Sequence, residues 1–177
     1  LPGTILALNA LNGVMMKPID VDFPSDASVS DKTLVLLNNS NYPVATYLYI
    51  VRGLSGQNTP ARVRSLAPAS MTVVPISITR TDDFTLVARP DGGYPMSVFR
   101  TDERAFVEGD VVELSDVSIE ITEVGGDGVP TEVTYRFHKR LDDPSLLWYM
   151  VDGTDFVSAT LPEVNETINL DRFGLEE

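Results

Sequence analysis

Thr33–Leu66 reads TLVLLNNSNYPVATYLYIVRGLSGQNTPARVRSL, and its reading decides the fold. Leu34–Leu37 is an apolar run with the length of a buried strand. Val44, Tyr47, Leu48 and Val51 follow at i, i+3, i+4 and i+7, which is one face of a helix. Pro43 suits the first helical turn, where its missing N–H would have no partner in any case. Gly53 suits a left-handed residue that closes the helix, so the helix is expected at about residues 43–52. Arg62–Leu66 is extended again. Strand, helix and strand in this length make one βαβ crossover.

Downstream the hydrophobic period falls to two. Met71–Thr79 is apolar and β-branched, with Pro75 at a bulge or edge position. Phe84, Leu86 and Ala88 alternate with Thr85, Val87 and Arg89 after the turn Thr81-Asp82-Asp83, which predicts a hairpin. Pro90-Asp91-Gly92-Gly93 is the next turn, followed by a short strand near Met96–Phe99 and a charged loop over Thr101–Glu108. Val111–Leu114 is extended. Val117, Ile119 and Ile121 are answered across Gly125–Gly128 by Val133, Tyr135 and Phe137, a hairpin with one dry and one wet face. Leu146–Val151, Phe156–Leu161 and Thr167–Leu170 are further strands, and Phe173–Glu177 should fray.

The fold class that follows is mainly β: a sandwich of about 8–11 short strands, with the single helix packed on one face. Residues 1–32 form an apolar segment and an extended lead-in, and residues 33–177 a single β-rich domain. In the lead-in, Ile19, Val21 and Phe23 should alternate toward the body. Ile5–Met16 (ILALNALNGVMM) is too short and too polar to cross a bilayer. It is either a docked segment or the remnant of a membrane helix, and a chain that starts at Leu1 rather than methionine is expected to begin at a processed terminus or at a boundary chosen for expression.

Charge narrows the function classes. The 177 residues carry a formal net charge of −13. Phosphate-backbone binding releases counterions only from a basic surface, so nucleic acid is excluded, and adhesion to anionic lipid is disfavoured. The 13 cationic residues include lysine only at Lys17, Lys32 and Lys139, a bias shared with proteins from saline water. The absence of cysteine excludes disulfides, thiolate nucleophiles and Cys-ligated zinc.

Chemistry-bearing patterns are few. Asn38, Asn39, Ser40 and Asn41 lie where a strand ends and a helix begins, so their N–H groups are candidates for an anion. The same residues are also natural helix caps. Ser40 is similar in placement to a nucleophile elbow but lacks its glycines. His138 is the sole histidine and should face solvent, which argues against a catalytic triad or a histidine zinc site. Asp20/Asp22, Asp82/Asp83, Asp102/Glu103 and Asp142/Asp143 pair without calcium-loop spacing and read as turn formers. A glycosidase pair stays open, because its two carboxylates need not be close in sequence. Trp148 and Tyr149 are adjacent on a strand and so must face opposite ways. No catalytic residue, metal ligand or cofactor is expected.

The order of segments TLVLLN, ATYLYIVRG, ARVRSLAP, ITRTDDFTLVARPDGG, SVFRTDERAF and DGVPTEVTYRFHKRLDDPSLLW resembles the C-terminal extracytoplasmic region of uncharacterised multi-pass bacterial membrane proteins. That resemblance implies a domain held outside the membrane behind an anchor upstream of Leu1, and it implies no catalytic residues. The leading expectation is a non-enzymatic domain that binds or positions a protein partner, or associates with itself. The alternative is a single jelly-roll shell subunit of a virus from salty water, and a hydrolase is third.

Overall fold

A computed structural model of the chain describes residues 23–38, 42–68, 74–94, 105–153, 155–171 and 174–175. It is a mainly β sandwich. The strands are β1 (Thr33–Leu36), β2 (Arg62–Ser65), β3 (Ile76–Arg80), β4 (Thr85–Pro90), β5 (Val111–Glu113), β6 (Val117–Val124), β7 (Pro130–Phe137), β8 (Leu146–Asp152), β9 (Asp155–Ser158), β10 (Thr167–Asp171) and β11 (Gly174–Leu175). Among the described residues one α-helix, α1 (Tyr42–Ser55), joins β1 to β2. The strands form a four-stranded sheet ordered β2-β1-β8-β9 and a seven-stranded sheet ordered β11-β10-β3-β4-β7-β6-β5.

β1 is the hinge of the design. It pairs in parallel with β2 on one side and with β8 on the other. All four of its residues are buried, as expected for a strand covered on both faces. Val35 and Leu37 enter the core between the sheets, alongside Ile78, Leu86, Val133, Phe137 and Trp148. Leu34 and Leu36 point the other way, into a second cluster with Phe23, Leu48, Val151 and Phe156. The four-stranded sheet is therefore a middle layer, with the seven-stranded sheet on one side and α1 on the other.

The crossover falls where the spacing placed it, but the helix is longer than expected. It runs to Ser55, and Gly56, at φ +67°, takes the left-handed position assigned to Gly53. Gly53 is tolerated inside the last turn, on an exposed side of the helix.

The two antiparallel hairpins are also as read. β3 pairs with β4, and β6 with β7. Val133, Tyr135 and Phe137 are buried, whereas Arg136 is exposed. On the outer face of the larger sheet polar side chains pair across strands. Ser77 Oγ donates to Asn169 Oδ1 at 2.8 Å, Thr79 and Thr167 hydroxyls lie 2.8 Å apart, and Arg89 is bridged to Glu132.

Two expectations for the ends are corrected. The lead-in is not extended throughout: Asp26 caps a 3₁₀ helix over Ala27–Asp31 by accepting from the Ser28 N–H at 2.8 Å. At the C-terminus, where fraying was expected, Gly174–Leu175 pairs with Leu170 and Asp171, and Phe173, Glu176 and Glu177 lie outside the described residues. Phe23 is buried as the alternation suggested, against the rings of Tyr149 and Phe156. Ile5–Met16, Ile19, Val21, Met71–Val73 and Met96–Phe99 lie outside the described residues.

Candidate functional site

The strand-to-helix corner after β1 was the one place where the sequence offered a ligand site. Leu37 N–H donates to Tyr149 O at 2.9 Å, which carries the β1–β8 ladder one residue further. Asn38 then continues that ladder with its side chain. Its Oδ1 accepts from the Val151 N–H at 2.8 Å, and its Nδ2 donates to Val151 O at 2.9 Å. The same Nδ2 reaches Asp171 O on β10 at 3.4 Å. Asn38 is fully buried. Its amide thus clamps β1 to β8 and to the end of the other sheet, and is engaged within the chain. Asn39, Ser40 and Asn41 lie outside the described residues.

Replacing Asn38 by alanine leaves both backbone groups of Val151 without their partner in a buried place. The expected loss is about 2–3 kcal/mol in urea unfolding. Asn38→Asp should not restore it, because the donor aimed at two carbonyls becomes an acceptor.

Other polar groups that drew attention are likewise tied into the fold. His138 is exposed, and its backbone N–H donates to Asp116 O. Trp148 is buried in the inter-sheet core, where its Nε1 donates to Leu141 O at 2.9 Å and its ring meets Phe137 edge-on. Tyr149 faces the second cluster, so the two neighbours do point opposite ways.

The carboxylate pairs build turns. Asp82 accepts from the Phe84 N–H at 2.6 Å, which holds its carboxyl below the usual range. Asp83 meets Arg80 and Arg140, and Asp142 meets Arg140, whose hydrogen bond lowers the Asp142 carboxyl. Asp143 accepts from Ser145. Asp20/Asp22 and Asp102/Glu103 lie outside the described residues. Among the described residues no three His, Cys, Asp or Glu side chains converge on a metal position. A depression of 240 Å³ beside Pro75, Ser77, Arg89 and Asn169 is shallow, and the Arg89 guanidinium in it is bridged to Glu132.

Two arrangements were not anticipated. Arg52 is completely buried against the lead-in, at helical spacing i+4 from Leu48, and that spacing was the available signal. Tyr94 and Tyr135 both donate to Leu66 O, at 2.6 and 3.2 Å. Nothing local marks that pair, since the residues are forty-one apart in sequence.

Burial pushes the Tyr135 phenol up to about 12, and burial together with the Tyr135 phenol pushes Tyr94 well above its usual value. The folded chain keeps protons that the unfolded chain gives up near 10. This contribution to stability is whole below about pH 10 and is lost as pH rises toward 12. Tyr135 alone should account for about 2–3 kcal/mol of that loss. Absorbance at 295 nm, followed with circular dichroism, should show two tyrosines that ionise only as the β signal disappears.

No family model, curated protein or solved structure matches this chain.

Proposed function

We propose that this chain is a non-enzymatic domain held outside the cell membrane behind an anchor, where it binds or positions a partner. The observation that carries the reading is the outer side of α1. Tyr49, Ile50 and Leu54 are exposed there, Leu54 to 85%. The only charged residue of the helix, Arg52, is turned inward and buried. A surface helix ordinarily covers its outward side with charge. An apolar one on a chain of net charge −13 suits contact with another surface rather than with water alone. Asn38, Arg52, Tyr94 and Tyr135 use their polar groups to hold backbone carbonyls within the fold.

The order of sequence segments supports the extracytoplasmic setting. The shell-subunit reading calls for a jelly roll, which is an antiparallel double Greek key. The parallel ladder β2-β1-β8 favours the first reading over it. Among the described residues no helix is long and apolar enough to cross a membrane.

Fractionation of the source cells tests this. The full-length product should sediment with membranes and be cut by protease added outside intact spheroplasts. A protease-protected pool that stays in the supernatant would overturn the proposal.

A further inference from the structure

Every open sheet ends in strands whose outer backbone groups lack neighbours, and proteins blunt such edges with charge, proline or short length. Among the described residues the two sheets have four edges, and three of them are blunted. β2 carries Arg62 and Arg64, which bind Ser115 and Asp116. β9 exposes Asp155 and Ser158. β11 has two residues. β5 is different: Val111 and Val112 are 53% and 40% exposed, with Val107 beside them at 59%, and there is neither lysine nor proline.

The hydrogen-bond phase shows which groups face out. Ile121 N–H donates to Asp110 O, and Leu114 N–H donates to Val117 O. Val112 is paired with Ile119 midway between them. The Asp110 carbonyl, the Val112 backbone and the Leu114 N–H thus turn toward β6, while the Asp110 N–H donates to Val107 O, and antiparallel alternation turns the backbone groups of Val111 and Glu113 to the open side. The side chains divide as well. Val112 shares the face of Ile119, which packs against the inter-sheet core, so its exposed side continues that core. Val111 and Glu113 share the outer face with Glu120 and Ser118. Residues 105–124 contain six acidic side chains and no lysine or arginine.

We propose that β5 receives an extended peptide as an eighth strand of this sheet, one that alternates apolar and basic residues. Its apolar side chains lie beside Val112 and lengthen the core, and its Lys or Arg side chains meet Glu113 and Glu120. Backbone pairing supplies the docking, and the alternation supplies the choice of partner. A second copy of β5 brings the same acids against themselves, which like-charge pairing disfavours. The inference rests on reading the domain as a binding module and names where one partner would sit.

The probe is an acetylated, amidated (Arg-Val)4 peptide, with (Glu-Val)4 and the block peptide Arg4Val4 as controls. Titration by fluorescence anisotropy should show (Arg-Val)4 binding at least tenfold tighter than either. Amide exchange should slow at Val111 and Glu113 in the complex. Val111→Pro removes an outward N–H without touching the β5–β6 ladder, so it should cut binding at least tenfold and leave the unfolding midpoint in place. Should that variant be poorly folded, Glu113→Lys serves instead, and it should shift preference toward (Glu-Val)4. Equal binding of (Arg-Val)4 and the block peptide, or unchanged exchange at Val111 and Glu113, would overturn the proposal. So would a dimer in sedimentation that Val111→Pro abolishes, since the occupant would then be a second copy. None of these results alters the fractionation test, so the two proposals fail separately.

Discussion

Arg52→Met should lower the free energy of unfolding by about 3–5 kcal/mol, the largest loss expected of any single side chain here. The guanidinium donates from Nη1 to Pro24 O at 2.7 Å and to Asn58 O at 3.1 Å, and from Nη2 to Phe23 O at 2.7 Å. Three segments thereby converge on one residue: the lead-in, the C-terminal turn of α1 and the loop that enters β2. Hydrogen bonds from a charged donor are each worth about 1.5–3 kcal/mol, and three on one group do not add in full. Methionine matches much of the volume but donates nothing, so the buried carbonyl of Phe23 loses its partner. Arg52→Lys keeps the charge as a single point with three mobile donors and cannot reproduce the planar fork. It should recover less than half of the loss.

The loss should also be local before it is global. Phe23 sits on Tyr149 and Phe156 only while Arg52 holds its carbonyl and that of Pro24. Limited proteolysis of the methionine variant should cut near Ser25–Ser30 under conditions that leave Trp148 fluorescence unchanged, because Trp148 lies in the other core. A variant with the wild-type urea midpoint and no new cleavage would show that water replaces the guanidinium at no cost.

How much of this was legible beforehand depends on the range of the interaction. Period-two alternation is a local property, so the dry face Val133/Tyr135/Phe137 and the β3–β4 hairpin could be read from the residues themselves. The four-residue apolar run Leu34–Leu37 announced a strand buried on both faces, and the crossover length announced its parallel partner β2. The second parallel neighbour was out of reach. β8 lies more than a hundred residues downstream, and nothing in LLWYMV says that it runs beside β1. The Asn38 amide that fastens the two is invisible for the same reason, and Asn38 was read instead through its immediate neighbours as part of a helix-capping, anion-binding corner. The helix end was misplaced because two glycines three residues apart both fit a left-handed stop. The i+4 spacing from Leu48 puts Arg52 on the inner face, and with Arg52 held there the last turn runs on to Gly56.

The adjacent glycines after β4 allow the remaining large effect to be measured against an internal control. Gly92 and Gly93 both have positive φ, at +76° and +70°. A side chain at either position is strained by its backbone, at about 1–2 kcal/mol. They differ in space. A Cβ at Gly92 meets nothing within 4 Å. A Cβ at Gly93 would stand 2.6 Å from Pro130 O and 2.9 Å from a methyl of Val129. Pro130 O cannot easily retreat, because it accepts from the Tyr94 N–H at 2.7 Å, and Tyr94 is fastened in turn to Leu66 O. Relief of the overlap therefore means prising the end of β4 from the start of β7 and dislodging a buried phenol. Overpacking of that kind adds about 1–3 kcal/mol to the backbone strain. Gly93→Ala should accordingly cost about 3 kcal/mol, or roughly 6–12 °C in melting temperature for a chain of this length, against about 1 kcal/mol for Gly92→Ala. Gly93→Ala should also bring the ionisation of one tyrosine down toward its ordinary range, since Tyr94 would lose its enclosure. Equal melting temperatures for the two variants would mean that the turn flexes enough to absorb the methyl, and that the close approach of Gly93 to β7 does not restrain the sheet.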